Sequence, residues 1–202
     1  MPRSAKGSGY EREVCELLGD WWVGTSDRDR IFWRTSGSGA TATRRAKFGR
    51  KTTHHCGDVC AVDPIGYPLT ELITFELKRG RGYTGKGVTL SDLIDAKKPQ
   101  ELEAWIEQAR RSSVNAGTPY WMIVHRRDQR ESVVYYPAEL YDELRQRGAN
   151  RMVPFVRARL TFMLGVPVKV ALVVTTLEQW FRHVTPDHIR ALSELYNGKE
   201  AG

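Results

Sequence analysis

Cysteine is scarce in this chain, with three in 202 residues. An odd, sparse set builds no disulfide framework and fits a reducing compartment. Long hydrophobic runs are missing too. The most apolar stretch, Leu160 to Leu177, is broken by Gly165, Pro167 and Lys169, which excludes a membrane span. Residues 1–9 carry no apolar segment of the kind that starts a secretory signal, and no internal repeat occurs. At 41% hydrophobic and 27% charged residues, the chain as a whole is not disordered, collagen-like or a coiled coil. These absences predict a soluble cytoplasmic protein of one domain, or one domain with an appendage.

Acid is absent from two long segments. The net charge is only +7, but no Asp or Glu stands between Trp33 and Gly57, against Arg34, Arg44, Arg45, Lys47, Arg50 and Lys51, with His54 and His55 behind them. None stands between Leu144 and Leu177, against Arg145, Arg147, Arg151, Arg157, Arg159 and Lys169. Such segments are the electrostatic footprint of a polyanion binder, the plainer alternative being a solvated basic face.

Local pattern supplies the elements. Residues 8–19 read as a helix with Ser8 as N-cap, Glu11 completing a capping box, and Tyr10, Val14, Leu17 and Leu18 as its apolar stripe. Residues 31–35 read as a strand and 36–53 as a Gly/Ser/Thr/Arg loop. Residues 58–62, a turn at 64–68 and residues 72–78 read as a hairpin. A second Gly-rich basic loop at 79–89 precedes a helical stretch at 90–111 that breaks near Pro99. Strands at 120–125 and 132–136, a helix at 138–147, strands at 155–163 and 168–175, and helices at 177–184 and 186–196 complete the chain. This order predicts an α/β or α+β fold with a mixed central sheet flanked by helices.

Chemistry concentrates at Glu76-Leu77-Lys78, which ends the apolar run Leu72-Ile73-Thr74-Phe75. Alternation along a strand puts Glu76 and Lys78 on one face. A carboxylate there can hold a hard cation through oxygen, and an amine can orient water and offset charge on a phosphate. Asp95-Ala96-Lys97 has the same letters without an apolar strand before it. The expected hairpin would set Asp58 opposite Glu76, and two such acids repel unless a cation lies between them. Alternatively, Asp58 caps a turn after Gly57. On a helical wheel Glu11 lies nearer the centre of the apolar stripe than Glu13 or Glu16. A carboxylate so placed needs a partner.

The segments Gly7-Ser8-Gly9-Tyr10-Glu11-Arg12-Glu13, Arg34-Thr35-Ser36-Gly37-Ser38-Gly39, Gly57-Asp58-Val59 and Phe75-Glu76-Leu77-Lys78 together resemble the PD-(D/E)xK nuclease superfamily. Within it the likeness is to archaeal-type Holliday-junction resolvases and related phage endonucleases. The resemblance covers residues 7–80 and continues loosely to about 125. It implies a restriction-endonuclease-like core over 1–125, a C-terminal extension at 126–202 that completes the sheet or mediates dimer or partner contacts, and hydrolysis of DNA with Mg²⁺ or Mn²⁺. Carried over, Glu11, Asp58 and Glu76 bind metal, Lys78 is the catalytic lysine, and Ser36 or Ser38 touches DNA. A homodimer is implied, since such enzymes cut two symmetric strands. The chain departs from the pattern in having Gly57 where the motif's name has Pro, a longer segment from Ser36 to Asp58, and about eighty residues after the core.

Arg79, Arg81 and Lys86 directly follow the catalytic strand and, with Arg34 and the 44–51 cluster, are expected on the DNA backbone. His54, His55, Cys56 and Cys60 form a lesser zinc candidate, and Trp21, Trp22 and Trp33 fit a core better than a base-stacking role. The expectation is a metal-dependent DNA endonuclease acting on branched DNA. Its rivals are a nuclease of linear duplex, of restriction or repair type, and a catalytically silent DNA-binding protein on the same fold.

Overall fold

The computed structural model describes residues 3–26, 30–35, 57–80, 100–152 and 155–200. Helix α1 (Arg3–Val23) is followed by strands β1 (Phe32–Arg34) and β2 (Val59–Ala61), a 3-10 turn (Pro64–Gly66), helix α2 (Tyr67–Leu72) and strand β3 (Ile73–Arg79). Helix α3 (Gln100–Ala116), strands β4 (Tyr120–Arg126) and β5 (Ser132–Pro137) and helix α4 (Ala138–Gln146) come next. Strands β6 (Phe155–Leu164) and β7 (Val166–Thr176) and helices α5 (Leu177–His183) and α6 (Pro186–Glu200) finish the order. Five strands form one mixed sheet in the order β3-β4-β5-β7-β6, and β1 and β2 form a separate pair. The expected α/β architecture, a mixed sheet flanked by helices, is what the chain adopts.

The hairpin expected between 58–62 and 72–78 does not form. β2 pairs antiparallel with β1, Trp33 opposite Cys60, and β3 pairs in parallel with β4, Glu76 beside Ile123. The cause lies in residues 64–72, which are helical rather than a tight turn. The Asp63 side chain accepts from the Ile65 amide at 2.9 Å, and Pro64 and Pro68 sit in first turns, where a missing N–H costs nothing. A parallel neighbour requires a long crossover, and the chain between β3 and β4 contains α3.

Helix α1 begins at Arg3, earlier than its capping pattern suggests, so Ser8 occupies an interior position of the helix and not its N-cap. Good helix formers at Ala5 and Lys6 let it continue toward the N-terminus. Its buried stripe is Tyr10, Val14, Cys15, Leu18 and Trp22, while Leu17 stays exposed.

The two faces of the sheet carry separate cores. On β4, Tyr120, Met122 and Val124 join α1, α2, α4, α5 and α6 in one cluster. Trp121 and Ile123 face Leu102, Ile106 and Ala109 of α3 in the other, together with Ala158, Leu160 and Phe162 of β6. The first cluster runs from Tyr10 to Leu192 and includes fully buried Trp180. Trp21 joins it through Trp180, ring centroids 4.9 Å apart, and its indole donates to Val184 O at 3.0 Å. The Glu143 carboxylate accepts from Tyr120 at 2.6 Å and from Tyr196 at 3.0 Å, tying α4 and α6 to β4.

Because residues after 126 complete the core that α1 and β3 need, a fragment of residues 1–125 is expected to lack a cooperative unfolding transition. Denaturation of the fragment and the full chain, followed by far-UV circular dichroism, checks this.

Candidate active site

Glu76 faces α3, and its carboxylate is withdrawn from water, with 2% of the side chain exposed. Burying a charge of this kind demands partners, which α3 and β3 supply. Oε1 accepts from Ser112 Oγ at 2.7 Å. Oε2 accepts from Gln108 Nε2 at 2.6 Å and from Lys78 Nζ at 3.0 Å. Lys78 Nζ also donates to Gln108 Oε1 at 3.0 Å, closing the network. Glu76 and Lys78 thus stand together as the strand alternation requires.

Gln108 and Ser112 were not expected from sequence. The buried stripe of α3 is Leu102, Ile106, Ala109 and Ser113, and Gln108 and Ser112, one turn apart, lie on one flank of it. A polar i, i+4 pair beside an apolar stripe was the available signal. It becomes meaningful only once β3 and α3 are known to pack.

Asp58 reaches the same place through backbone geometry. Gly57 has φ +78°, and a Cβ there would lie 2.4 Å from the Phe75 carbonyl oxygen and 2.8 Å from Thr74 Cγ2. Only glycine fits, which is why the proline of the motif's name is excluded. The Asp58 amide donates to Phe75 O at 2.7 Å, and its Oδ2 accepts from the Leu77 amide at 2.8 Å. Asp58 therefore lies against β3 by docking onto its backbone, not by cross-strand register. Burial first, and the Glu76 charge second, push its carboxyl up to about 6.

Glu11 stands further off. With Leu17 outside the stripe and Cys15 inside it, Glu11 falls within about 25° of the stripe's centre. It is one quarter exposed and pairs with Arg34 on β1 at 3.6 Å. It contributes the weakest of the charges that raise Asp58. The rotation of α1 is set by its neighbours on the wheel. Tyr10 OH bonds Ser132 Oγ at 3.0 Å, the Arg126 guanidinium lies over the Tyr10 ring at 4.5 Å, and Glu13 pairs with Arg126.

Among the described residues, no three His, Cys, Asp or Glu side chains form a metal-holding group. The donor set that does exist is the pair Asp58 and Glu76. Oδ1 of Asp58 has no partner among the described residues, and Oε1 of Glu76 accepts one bond, leaving a second lone pair. Two mutually unfavourable hard-oxygen donors with unused lone pairs fit a small divalent cation. Cys60 is buried in β2, and its thiol donates to Trp33 O at 3.3 Å. The other zinc candidates, His54, His55 and Cys56, lie outside the described residues, as do Ser36, Ser38, Arg44, Arg45, Lys47, Arg50, Lys51, Arg81 and Lys86. Of the expected backbone contacts, Arg34 pairs with Glu11 and Arg79 pairs with Asp128 at 3.4 Å. Exposed pairs of this kind are weak enough to exchange for phosphate. Trp22 is core and Trp21 packs on it. Trp33 is half-buried, with Arg30 4.9 Å from its ring centroid.

No motif or spacing singles out His125, which stands beside Lys78 on β4. It is buried against Trp105, and its Nε2 has no partner among the described residues. Burial, and secondarily Arg127, lower it to about 4, so it is neutral at physiological pH.

Two outcomes follow from this geometry. Gly57→Ala should lose ~2 kcal/mol or more, because positive φ and a backbone clash add; chemical denaturation measures it. Because the folded state holds Asp58 above its unfolded value, it binds the extra proton. In EDTA the stability contribution therefore falls as pH rises from about 4 to about 6, by roughly 3 kcal/mol at most. Asp58→Asn keeps the acceptor for Leu77 and should melt higher than wild type at pH 7, with that slope removed.

Residues 3–191 match the family described as Phage putative PDDEXK endonuclease. No curated protein matches, and neither does any solved structure. The match spans nearly the whole chain and includes Glu11, Asp58, Glu76 and Lys78, so the chain belongs to this phage PDDEXK endonuclease family.

Proposed function

We propose that this protein is a metal-dependent endodeoxyribonuclease in which Asp58 and Glu76 hold Mg²⁺ or Mn²⁺, Glu11 contributes through water, and Lys78 is the catalytic lysine. The observation that carries the reading is the caged Glu76–Lys78 pair with a protonation-shifted Asp58 beside it. Perturbed carboxylates in a specific charged network mark functional sites. When bound, the cation polarises the scissile phosphate and lowers the pKa of water beside it.

The remaining chemistry belongs to the chain. Gln108 and Ser112 hold the Glu76 oxygens in one orientation, which also fixes the carboxylate oxygen that Lys78 bonds. Lys78 spends two of its three N–H bonds on Glu76 and Gln108, leaving one for an attacking water or a phosphate oxygen. An ammonium in this position orients and offsets charge, while the proton lost by water leaves by another acceptor. Arg34 and Arg79, with the basic segments 44–51 and 79–86, hold the backbone without reading sequence.

Branched DNA is the proposed substrate and a homodimer the proposed assembly. Both rest on the resemblance to resolvases, since paired symmetric cuts call for paired sites. A nuclease of linear duplex with the same site is the alternative.

Equal amounts of four-way junction, flap, linear duplex and single strand, with Mg²⁺ or EDTA, separate these on one gel. Paired nicks confined to the junction support the resolvase reading. Cutting of every substrate keeps the site and discards the junction preference. Lys78→Ala is expected to cut at least about 100-fold more slowly. No cutting with either metal, but a retained DNA shift, would leave a binding protein. In a thermal-shift assay, Mg²⁺ or Mn²⁺ should raise the melting temperature of wild type and leave Asp58→Asn unchanged.

A further inference from the structure

The second acid-free segment of the sequence, 144–177, has no role in the site just described. Within it, β6 and β7 form a long antiparallel ribbon at the sheet edge, turning at Gly165 with φ +77°. Its two faces differ sharply. Ala158, Leu160 and Phe162 are buried under α3. Arg159, Thr161 and Met163 alternate onto the other face, with Ala171, Lys169 and Pro167 directly opposite them. Arg159 and Lys169 are exposed and have no acidic partner among the described residues. Arg157 on the same face is bound at both ends by Asp142, at 2.8 and 2.7 Å.

The tip is apolar instead of polar. Met163 is 54% exposed and Val166 63%, and Pro167 is exposed beside them. A turn in water normally carries polar residues. Large apolar side chains left out on a basic ribbon call for an occupant that is negatively charged along its edge and apolar within. The tip is also held in place, since the Met163 amide donates to the Glu103 carboxylate on α3. On the wheel of α3, Glu103 and the Gln108–Ser112 pair lie on opposite flanks of the buried stripe, about 100° to either side. The ribbon and the catalytic network are therefore separate surfaces joined by one helix.

We propose that the β6–β7 ribbon is a second DNA contact, with Arg159 and Lys169 on the phosphates and the Met163–Val166 tip against the bases. Two-stranded ribbons enter the minor groove as well as the major one, and from the minor groove Met and Pro wedges unstack base steps. The inference deepens the nuclease reading and rests on it for the identity of the polyanion.

The test is binding of full-length protein, in EDTA, to a duplex carrying 2-aminopurine, over a salt series. Wild type should brighten the probe several-fold as its stack opens. Arg159→Ala/Lys169→Ala should lower the slope of log affinity against log salt by about two. Arg157→Ala should change the slope by less than half that, because Asp142 holds its guanidinium by two short bonds and not by one long contact. Met163→Ser/Val166→Ser should keep the slope and lose the brightening. Unchanged slope in the double basic variant, an equal effect from Arg157→Ala, or no brightening with wild type would each overturn the proposal. A tip variant that shifts a dimer to monomer while binding DNA normally would assign the ribbon to protein contact and overturn it too. These results leave metal-dependent cutting untouched. Wild type that neither binds nor cuts DNA overturns the nuclease reading and this one with it.

Discussion

A carboxylate taken out of water must be surrounded by donors, and the cage around Glu76 imposes that demand on the whole architecture. Three donor groups reach its two oxygens, one from its own strand and two from α3. For α3 to deliver Gln108 and Ser112, its apolar stripe must seat on β4 and β6, which fixes the second core. For Lys78 to stand beside Glu76, β3 must remain regular to its end, which its parallel pairing with β4 secures. Removing one partner would leave an uncompensated buried charge, a cost of several kcal/mol.

Asp58 shows the complementary principle. Its position is forced by a glycine that tolerates close approach to β3 and by two backbone hydrogen bonds, and its charge is unwelcome there. Structure and site pull against each other at this residue, as expected where stability is exchanged for chemistry. The same site explains why Glu11 differs from the other two acids. It has Arg34 to pair with and some water to face, so its charge costs little.

The sequence made much of this legible. The strand ending in Glu76-Leu77-Lys78 and its one-faced acid and amine follow from alternation alone, and the later strands and helices follow from apolar runs and breakers. The hairpin does not form because Pro64 and Pro68, which suit a tight turn, equally suit the first turn of a helix. Without the hairpin, Asp58 reaches the site by docking on the backbone of β3 and not by cross-strand register. Ser8 is not the N-cap of α1 because a local preference yields when the chain upstream is itself helical. Gln108 and Ser112 escaped notice because their role is tertiary: nothing in the helix itself says which flank will meet a buried carboxylate.

The spread of the larger core along the chain bears on when the site can exist. Ribosomes release residues from the N-terminus onward at about 5–20 per second. Every side chain of the Glu76 network has been made by residue 112, but the cluster that holds α1 and β3 still lacks Trp180, Ile189 and Leu192. A nascent chain carries the Glu76 network's side chains for several seconds before it has anything to hold them in place. Assembly of the proposed site is in this way deferred until α6 has been made.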